Sequence, residues 1–84
     1  MSPLERRVSE IVANITKCSP EQLRPDMDLR KELNVDSLQG LMIVAAIEKK
    51  FGVLIPDDEL DNYATIQMIA GAIQRLQSGD TNAS

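Results

Sequence analysis

Ser37 is the side chain in this sequence whose position suggests the most specific chemistry. It follows Asp36 at the predicted start of a helix, where the first amides lack partners within the helix and the helix dipole is positive. A phosphate ester on the Ser37 hydroxyl would be tolerated electrostatically there, and Asp36 could help to hold a divalent metal ion while the phosphate is delivered. Spacing alone gives a simpler interpretation, because Asp36 and Gln39 also form a capping box in which Ser37 is an ordinary first-turn serine.

Other side chains that could perform chemistry are few. The chain of 84 residues has no His and one Cys, which excludes Cys/His zinc sites, His-based triads and an intramolecular disulfide. We interpret Cys18 as a small loop residue, because Lys17 is the only cation beside it in the sequence. The acidic run at 57–61 lacks the ligand spacing of an EF-hand, so we expect a solvated helix start and no metal site. The sequence also lacks a glycine-rich phosphate loop and a G-x-S-x-G elbow, so we do not expect an enzyme.

Charge and hydropathy restrict the partners and the location. The net charge is −4 and the sequence has no basic stripe, which makes nucleic acid an unsuitable partner. No apolar run is long enough to cross a bilayer, and the N-terminus lacks the basic start and apolar stretch of a signal peptide. We therefore expect a cytoplasmic protein without membrane insertion, and we take a monomer as the default.

The first helix is indicated by its cap and its periodicity. Ser2 can cap it, Pro3 suits its first turn, and Glu5 occupies the capping-box position. The helix should end near residues 17 and 18. Its apolar residues recur at helical spacing and form one stripe: Leu4, Val8, Ile11, Val12 and Ile15.

A long connection follows, from about residue 18 to residue 36. It contains Pro20 and Pro25, which argue against one continuous helix, and Ser19 could cap a single short turn within it. Its apolar residues are spaced like anchors to the core: Leu23, Met27, Leu29 and Leu33. Loops of this length are uncommon in compact domains and are often functional.

The C-terminal half is predicted to contain two further long helices. The second helix should span 37–51 and end at Gly52, which readily adopts the left-handed conformation. A short acidic turn follows Pro56, and the last helix should begin near Thr65. The predicted fold is therefore all-α, a four-helix bundle of three longer helices and one short helix, with a domain at 1–77 and a disordered tail at 78–84.

The second helix is apolar on two faces, which is typical of a buried helix or of one that forms an interface. One face is the natural core face and carries Gly40, Ile43, Val44, Ile47 and Phe51. Glycine inside a helix costs about 1 kcal/mol of stability relative to Ala, and a close helix contact at Gly40 would explain why it is present. The opposite side carries Leu38, Leu41, Met42 and Ala45, with Lys49 beyond them. This second set either docks a partner or is core covered by the long connection.

Several residues around Ser37 together resemble a known family. Leu33 precedes the stretch Asp36-Ser37-Leu38, and the first connection contributes Pro25, Asp26 and Leu29. After it, at the spacing of the family, come Ile47, Glu48, Phe51, Gly52, Ile55 and Pro56, followed by the acidic turn. On these motifs, residues 4–77 resemble the acyl carrier proteins.

The resemblance implies a four-helix bundle that transports acyl groups without catalysing their reactions. A phosphopantetheinyl transferase would attach 4'-phosphopantetheine from coenzyme A to Ser37, and the thiol of that arm would hold the cargo as a thioester. The remaining partners would be enzymes of the ketosynthase, acyltransferase or acyl-ligase type, meeting the face that includes Leu38 and Met42.

Departures from the family pattern concern charge. Carriers of primary fatty acid synthesis tend to have an acidic second helix, whereas here Glu48 stands against Lys49 and Lys50, and Gln39 and Met42 occupy positions that are often acidic. A near-neutral docking face predicts weak salt dependence and a specialised carrier for a polyketide, an unusual lipid or another secondary pathway.

Two alternatives remain open at this point. Peptidyl and aminoacyl carriers commonly have paired glycines before the serine, whereas this chain has Asn34-Val35-Asp36, which favours acyl cargo. A helical interaction module would use the same apolar face and leave Ser37 unmodified.

Overall fold

The helices confirm the all-α class. A computed structural model describes residues 1–56 and 64–77, and within these ranges it contains helices and turns but no strand. The elements are α1 at Pro3–Thr16, a 3₁₀ turn at Pro20–Gln22, α2 at Leu29–Leu33, α3 at Ser37–Phe51 and α4 at Ile66–Gln77. None of the described helices is long and apolar enough to cross a bilayer. The predicted acidic turn after Pro56 and the predicted disordered tail lie outside the described residues.

Helix α1 begins with the predicted capping box. The Ser2 hydroxyl accepts a hydrogen bond from the Glu5 amide at 3.1 Å, and the Ser2 amide donates to Glu5 Oε1 at 2.8 Å. Val8 and Val12 are fully buried, as the apolar stripe predicted. The helix ends at Lys17, which takes the left-handed conformation with φ 64°.

The first connection is anchored as predicted. Leu23, Met27 and Leu29 are buried and Leu33 is half-buried against the core. Two backbone hydrogen bonds also tie the connection to the start of α4: the Leu29 amide donates to the Ala64 carbonyl and the Gln67 amide donates to the Pro25 carbonyl, both at 2.9 Å. The connection is therefore part of the packed domain.

Helix α2 was not predicted, because the sequence pattern places this segment in the long first connection. Asp28 caps it, with Oδ1 accepting from the Lys31 amide at 3.0 Å. It ends at Asn34, whose φ of 55° lies in the left-handed region. Asn is one of the few residues besides Gly that adopt this conformation readily, which explains how Asn34 can end the helix.

Helices α3 and α4 complete the core with α1, which packs against both of them. Ile43 and Ile47 of α3 are buried, as are Ile66, Ile69 and Ile73 of α4. Thr65 caps α4 as predicted, because its hydroxyl accepts from the Met68 amide at 3.1 Å. The aliphatic core therefore holds α3 and α4 in place through their shared contact with α1.

Candidate functional site

Ser37 is the first residue of α3, and its side chain is exposed. The cap itself is made by Asp36, whose Oδ1 accepts a hydrogen bond from the Gln39 amide at 2.8 Å and whose carbonyl accepts from the Gly40 amide at 2.8 Å. Because Asp36 caps the helix, the Ser37 hydroxyl is not needed for that purpose. Because Ser37 is also exposed, another molecule can reach its hydroxyl.

A cavity of about 240 Å³ opens beside Ser37. Its rim includes Arg30 and Asp36, which are exposed. Its inner walls are aliphatic and buried, and they come from α2, α3, α4 and the segments that flank α3: Leu29, Val35, Ile43, Ile47, Ile55 and Ile69. The arrangement is amphipathic, with a polar rim at Ser37 and an interior suited to hydrocarbon.

The rim fits a phosphate group on Ser37. The start of α3 offers backbone amides and the positive end of the helix dipole. Arg30 of α2 adds a guanidinium group at the same rim, and guanidinium groups match phosphate oxygens in geometry and charge. The residues present therefore suit a phosphodiester that carries a flexible arm.

Asp36 is the predicted helper for a divalent metal ion. In the described part of the chain, no group of three or more acidic, Cys or His side chains could hold a metal ion. Magnesium commonly takes one or two carboxylates and completes its shell with water and substrate phosphates. Asp36 could supply one such carboxylate at most, so its role in metal binding stays a prediction.

Gly40 corrects one prediction from the sequence. A Cβ atom added at Gly40 would meet no heavy atom within 4 Å, so a close helix contact is not the reason for this glycine. Gly40 lines the cavity instead, together with Val44 and the buried isoleucines of the same helix face. The sequence assigned this face to the core, which the burial of Ile43 and Ile47 confirms, but it did not predict the cavity beside it.

The other apolar side of α3 lies at the surface. We define the outer face as Leu38, Leu41, Met42, Ala45 and Lys49, all of which are exposed. The exposed fractions of the three large apolar side chains are 67% for Leu38, 55% for Leu41 and 48% for Met42. The alternative in which the first connection covers these residues is therefore wrong, and the outer face begins directly beside Ser37.

A family model and several known proteins are similar to this chain, and all of them concern acyl carriers or their attachment site. Residues 6–73 match the family model described as the phosphopantetheine attachment site. An acyl carrier protein of Thermosynechococcus vestitus is 36% identical over 66 residues, which cover 79% of this chain and 82% of that protein. The meromycolate extension acyl carrier protein of Mycobacterium tuberculosis is 30% identical over 77 residues, covering 92% of this chain and 67% of that protein. Acyl carrier protein 2, mitochondrial, of Arabidopsis thaliana is 34% identical over 67 residues, covering 80% of this chain and 53% of that protein.

Proposed function

The chain belongs to the acyl carrier protein family, and from this premise we propose that Ser37 bears the phosphopantetheine arm and that the chain delivers acyl thioesters to a specialised biosynthetic pathway. The observation that carries the proposal is the exposed Ser37 hydroxyl at the first residue of α3, on the rim of an aliphatic cavity. The family's cofactor is covalently attached 4'-phosphopantetheine, whose terminal thiol holds the acyl group as a thioester.

The chain's own residues position the arm and perform no bond-making step. The unpaired amides at the start of α3 and the guanidinium of Arg30 at the rim would favour the negative charge of a phosphate on Ser37. Asp36 holds the helix start in place through its bond to the Gln39 amide. In this proposal the protein is a carrier and its partners are the catalysts.

The cavity supports a role in sheltering apolar cargo. An apolar cavity of roughly 150 Å³ lined by Leu, Ile and Phe binds benzene, so a volume of about 240 Å³ accommodates about ten carbon atoms at the same density. Burial there removes hydrocarbon from water and hinders the approach of water to a thioester. We propose that apolar acyl groups of medium length occupy this space between deliveries.

The outer face supports a particular kind of partner surface. It is apolar and ends at Lys49, while Glu48 is outnumbered by Lys49 and Lys50 in the last turns of α3. Such a face suits enzymes of the ketosynthase, acyltransferase or acyl-ligase type that present apolar rather than basic surfaces. The name of the mycobacterial relative, which refers to meromycolate extension, favours a specialised lipid as cargo.

The degree of salt dependence tests the choice of pathway. Association guided by few charges should change little between low and high ionic strength, whereas the pairing of an acidic carrier with a basic partner weakens as salt screens it. A ketosynthase of primary fatty acid synthesis that used this chain as efficiently as an acidic carrier, with strong salt dependence, would contradict the specialised role.

The attachment site is tested by intact-protein mass. The chain is incubated with coenzyme A, magnesium and a broad-specificity phosphopantetheinyl transferase, and a Ser37→Ala variant is treated alongside. We expect the native chain alone to gain the mass of one phosphopantetheine. Lack of any gain on a folded native chain, with a transferase shown to be active on another carrier, would favour the unmodified interaction module.

A further inference from the structure

Gly40 lies inside α3, where glycine is unfavourable because its backbone loses more freedom on folding than that of any other residue. Its backbone does not require glycine, since Gly52 is the only glycine with positive φ in the described residues. Its surroundings do not require glycine either, because an added Cβ atom would meet no heavy atom within 4 Å. Neither conformation nor packing explains why this position has no side chain.

The position of Gly40 relative to Ser37 offers an explanation. Gly40 follows Ser37 by three residues, so the two lie on neighbouring positions of the same helix surface. The Cα–Cβ bond of a helical residue tilts toward the helix N-terminus, and its side chain leans over the residue three or four positions earlier. A side chain at position 40 would therefore lean toward Ser37.

The space in question also belongs to the cavity. Gly40 lines the cavity together with Ile43 and Ile47, which lie on the same face one and two turns further along α3. A side chain at position 40 would thus stand between the attachment hydroxyl and the aliphatic interior. The missing side chain leaves this passage open.

We infer that Gly40 determines which acyl groups this carrier can shelter, by keeping the passage from Ser37 into the cavity open. The inference rests on the proposed function, since it concerns cargo on an arm at Ser37. The cargo class is an apolar acyl group of medium length, which must pass Gly40 to reach the buried isoleucines. A larger side chain at this position exposes the same cargo to water.

The test compares thioester lifetimes on loaded carriers. Octanoyl and acetyl arms are transferred from their coenzyme A esters to the native chain, to Gly40→Leu and to Gly71→Leu, and cleavage by hydroxylamine is followed by mass. Gly71 is the matched control, because it also lies inside a helix with open space around an added Cβ but does not line the cavity. The acetyl arm supplies the rate for cargo too short to be sheltered.

We expect the octanoyl thioester of the native chain to be cleaved more slowly than the acetyl thioester by at least about fourfold, the effect of one buried methylene. Gly40→Leu should bring the two rates together, and Gly71→Leu should keep the native ratio. Gly40→Ala provides a second variant if Gly40→Leu does not fold, and its ratio should fall between the native and equal values.

Each contrary outcome has a distinct meaning. Equal protection in the native chain and both Leu variants would overturn the role of Gly40 and leave the carrier function standing. Equal octanoyl and acetyl rates in the native chain would overturn sheltering and this inference, while the loaded mass still supports the carrier. Failure of the native chain to accept any arm would overturn the proposed function and this inference with it.

Discussion

The carboxylate of Glu48 accepts a hydrogen bond from the backbone amide of Ile55 through Oε2 at 2.9 Å. The carbonyl of Glu48 also accepts from the amides of Gly52 at 2.9 Å and Val53 at 3.3 Å, which closes the C-terminal end of α3. Ile55 forms part of the cavity wall and is buried. Glu48 therefore connects the helix that begins with Ser37 to the segment after α3, which forms part of the cavity wall.

This bond predicts different effects for two substitutions of Glu48. Glu48→Ala leaves the partly buried Ile55 amide without its acceptor, and we expect the free energy of unfolding to fall by about 1–3 kcal/mol. Glu48→Gln keeps an acceptor oxygen, so the loss should be clearly smaller. Urea denaturation of the two variants and the native chain measures both values, and equal losses would show that the bond to Ile55 contributes little.

Replacement of three glycines by Ala should change the free energy of unfolding in opposite directions, depending on the backbone conformation of each glycine. Gly40→Ala and Gly71→Ala place a methyl group in open space inside helices, so each should raise the free energy of unfolding by about 0.5–1 kcal/mol. Gly52→Ala should lower it by about 1 kcal/mol, because Gly52 has a φ of 66° that a Cβ atom disfavours. Urea denaturation of the three variants provides the comparison, and destabilisation by Gly40→Ala would mean that the space beside Ser37 is smaller than described.

Substitutions of Asp36 should affect the free energy of unfolding and the rate of phosphopantetheine transfer differently. Asp36→Asn retains a side-chain oxygen for the Gln39 amide, so the helix cap and the free energy of unfolding should be nearly unchanged, whereas Asp36→Ala should cost about 1 kcal/mol. If Asp36 also holds magnesium during transfer, Asp36→Asn should slow phosphopantetheine transfer by about tenfold or more. The rate of mass gain with a transferase measures this, and an unchanged rate for the folded Asn variant would contradict the metal role.

The long helices could be predicted from the sequence because their signals are local. The Ser2 and Asp36 caps, the Gly52 terminus and the apolar spacing of α1 and α4 all involve residues within a few positions of one another. Helix α2 escaped prediction because it has five residues, too few for a periodic pattern, and because one of its first amides, that of Leu29, is paired with the distant Ala64 carbonyl.

The candidate site shows the same division. Ser37 and Asp36 could be predicted as the site because the motifs around them resemble those of the acyl carrier proteins, whereas residue type and helix position alone also allow an ordinary first-turn serine. The cavity could not be identified, because its walls come from α2, α3, α4 and the segments that flank α3, and because it consists of space that no residue fills. Gly40 was noticed in the sequence but explained by a helix contact, since the sequence gives no distance between an open position and its neighbours.

The outer face of α3 predicts a loss of partner binding without a loss of stability. Met42 is 48% exposed, so Met42→Glu should change the free energy of unfolding by no more than about 0.5 kcal/mol. If Met42 is buried by a partner, the substitution removes about 1.5 kcal/mol or more of apolar contact, which raises the KM of a phosphopantetheinyl transferase for the carrier by about tenfold.

Leu54 provides the matched control for this experiment. It is an apolar side chain with 81% exposure that follows α3 and lies off the outer face, so Leu54→Glu makes the same type of substitution elsewhere on the surface. We expect the KM of the transferase for the Leu54 variant to stay close to the native value. An equal rise in KM for both variants would attribute the effect to added negative charge, and no rise for Met42→Glu would place the contact surface of this partner away from Met42.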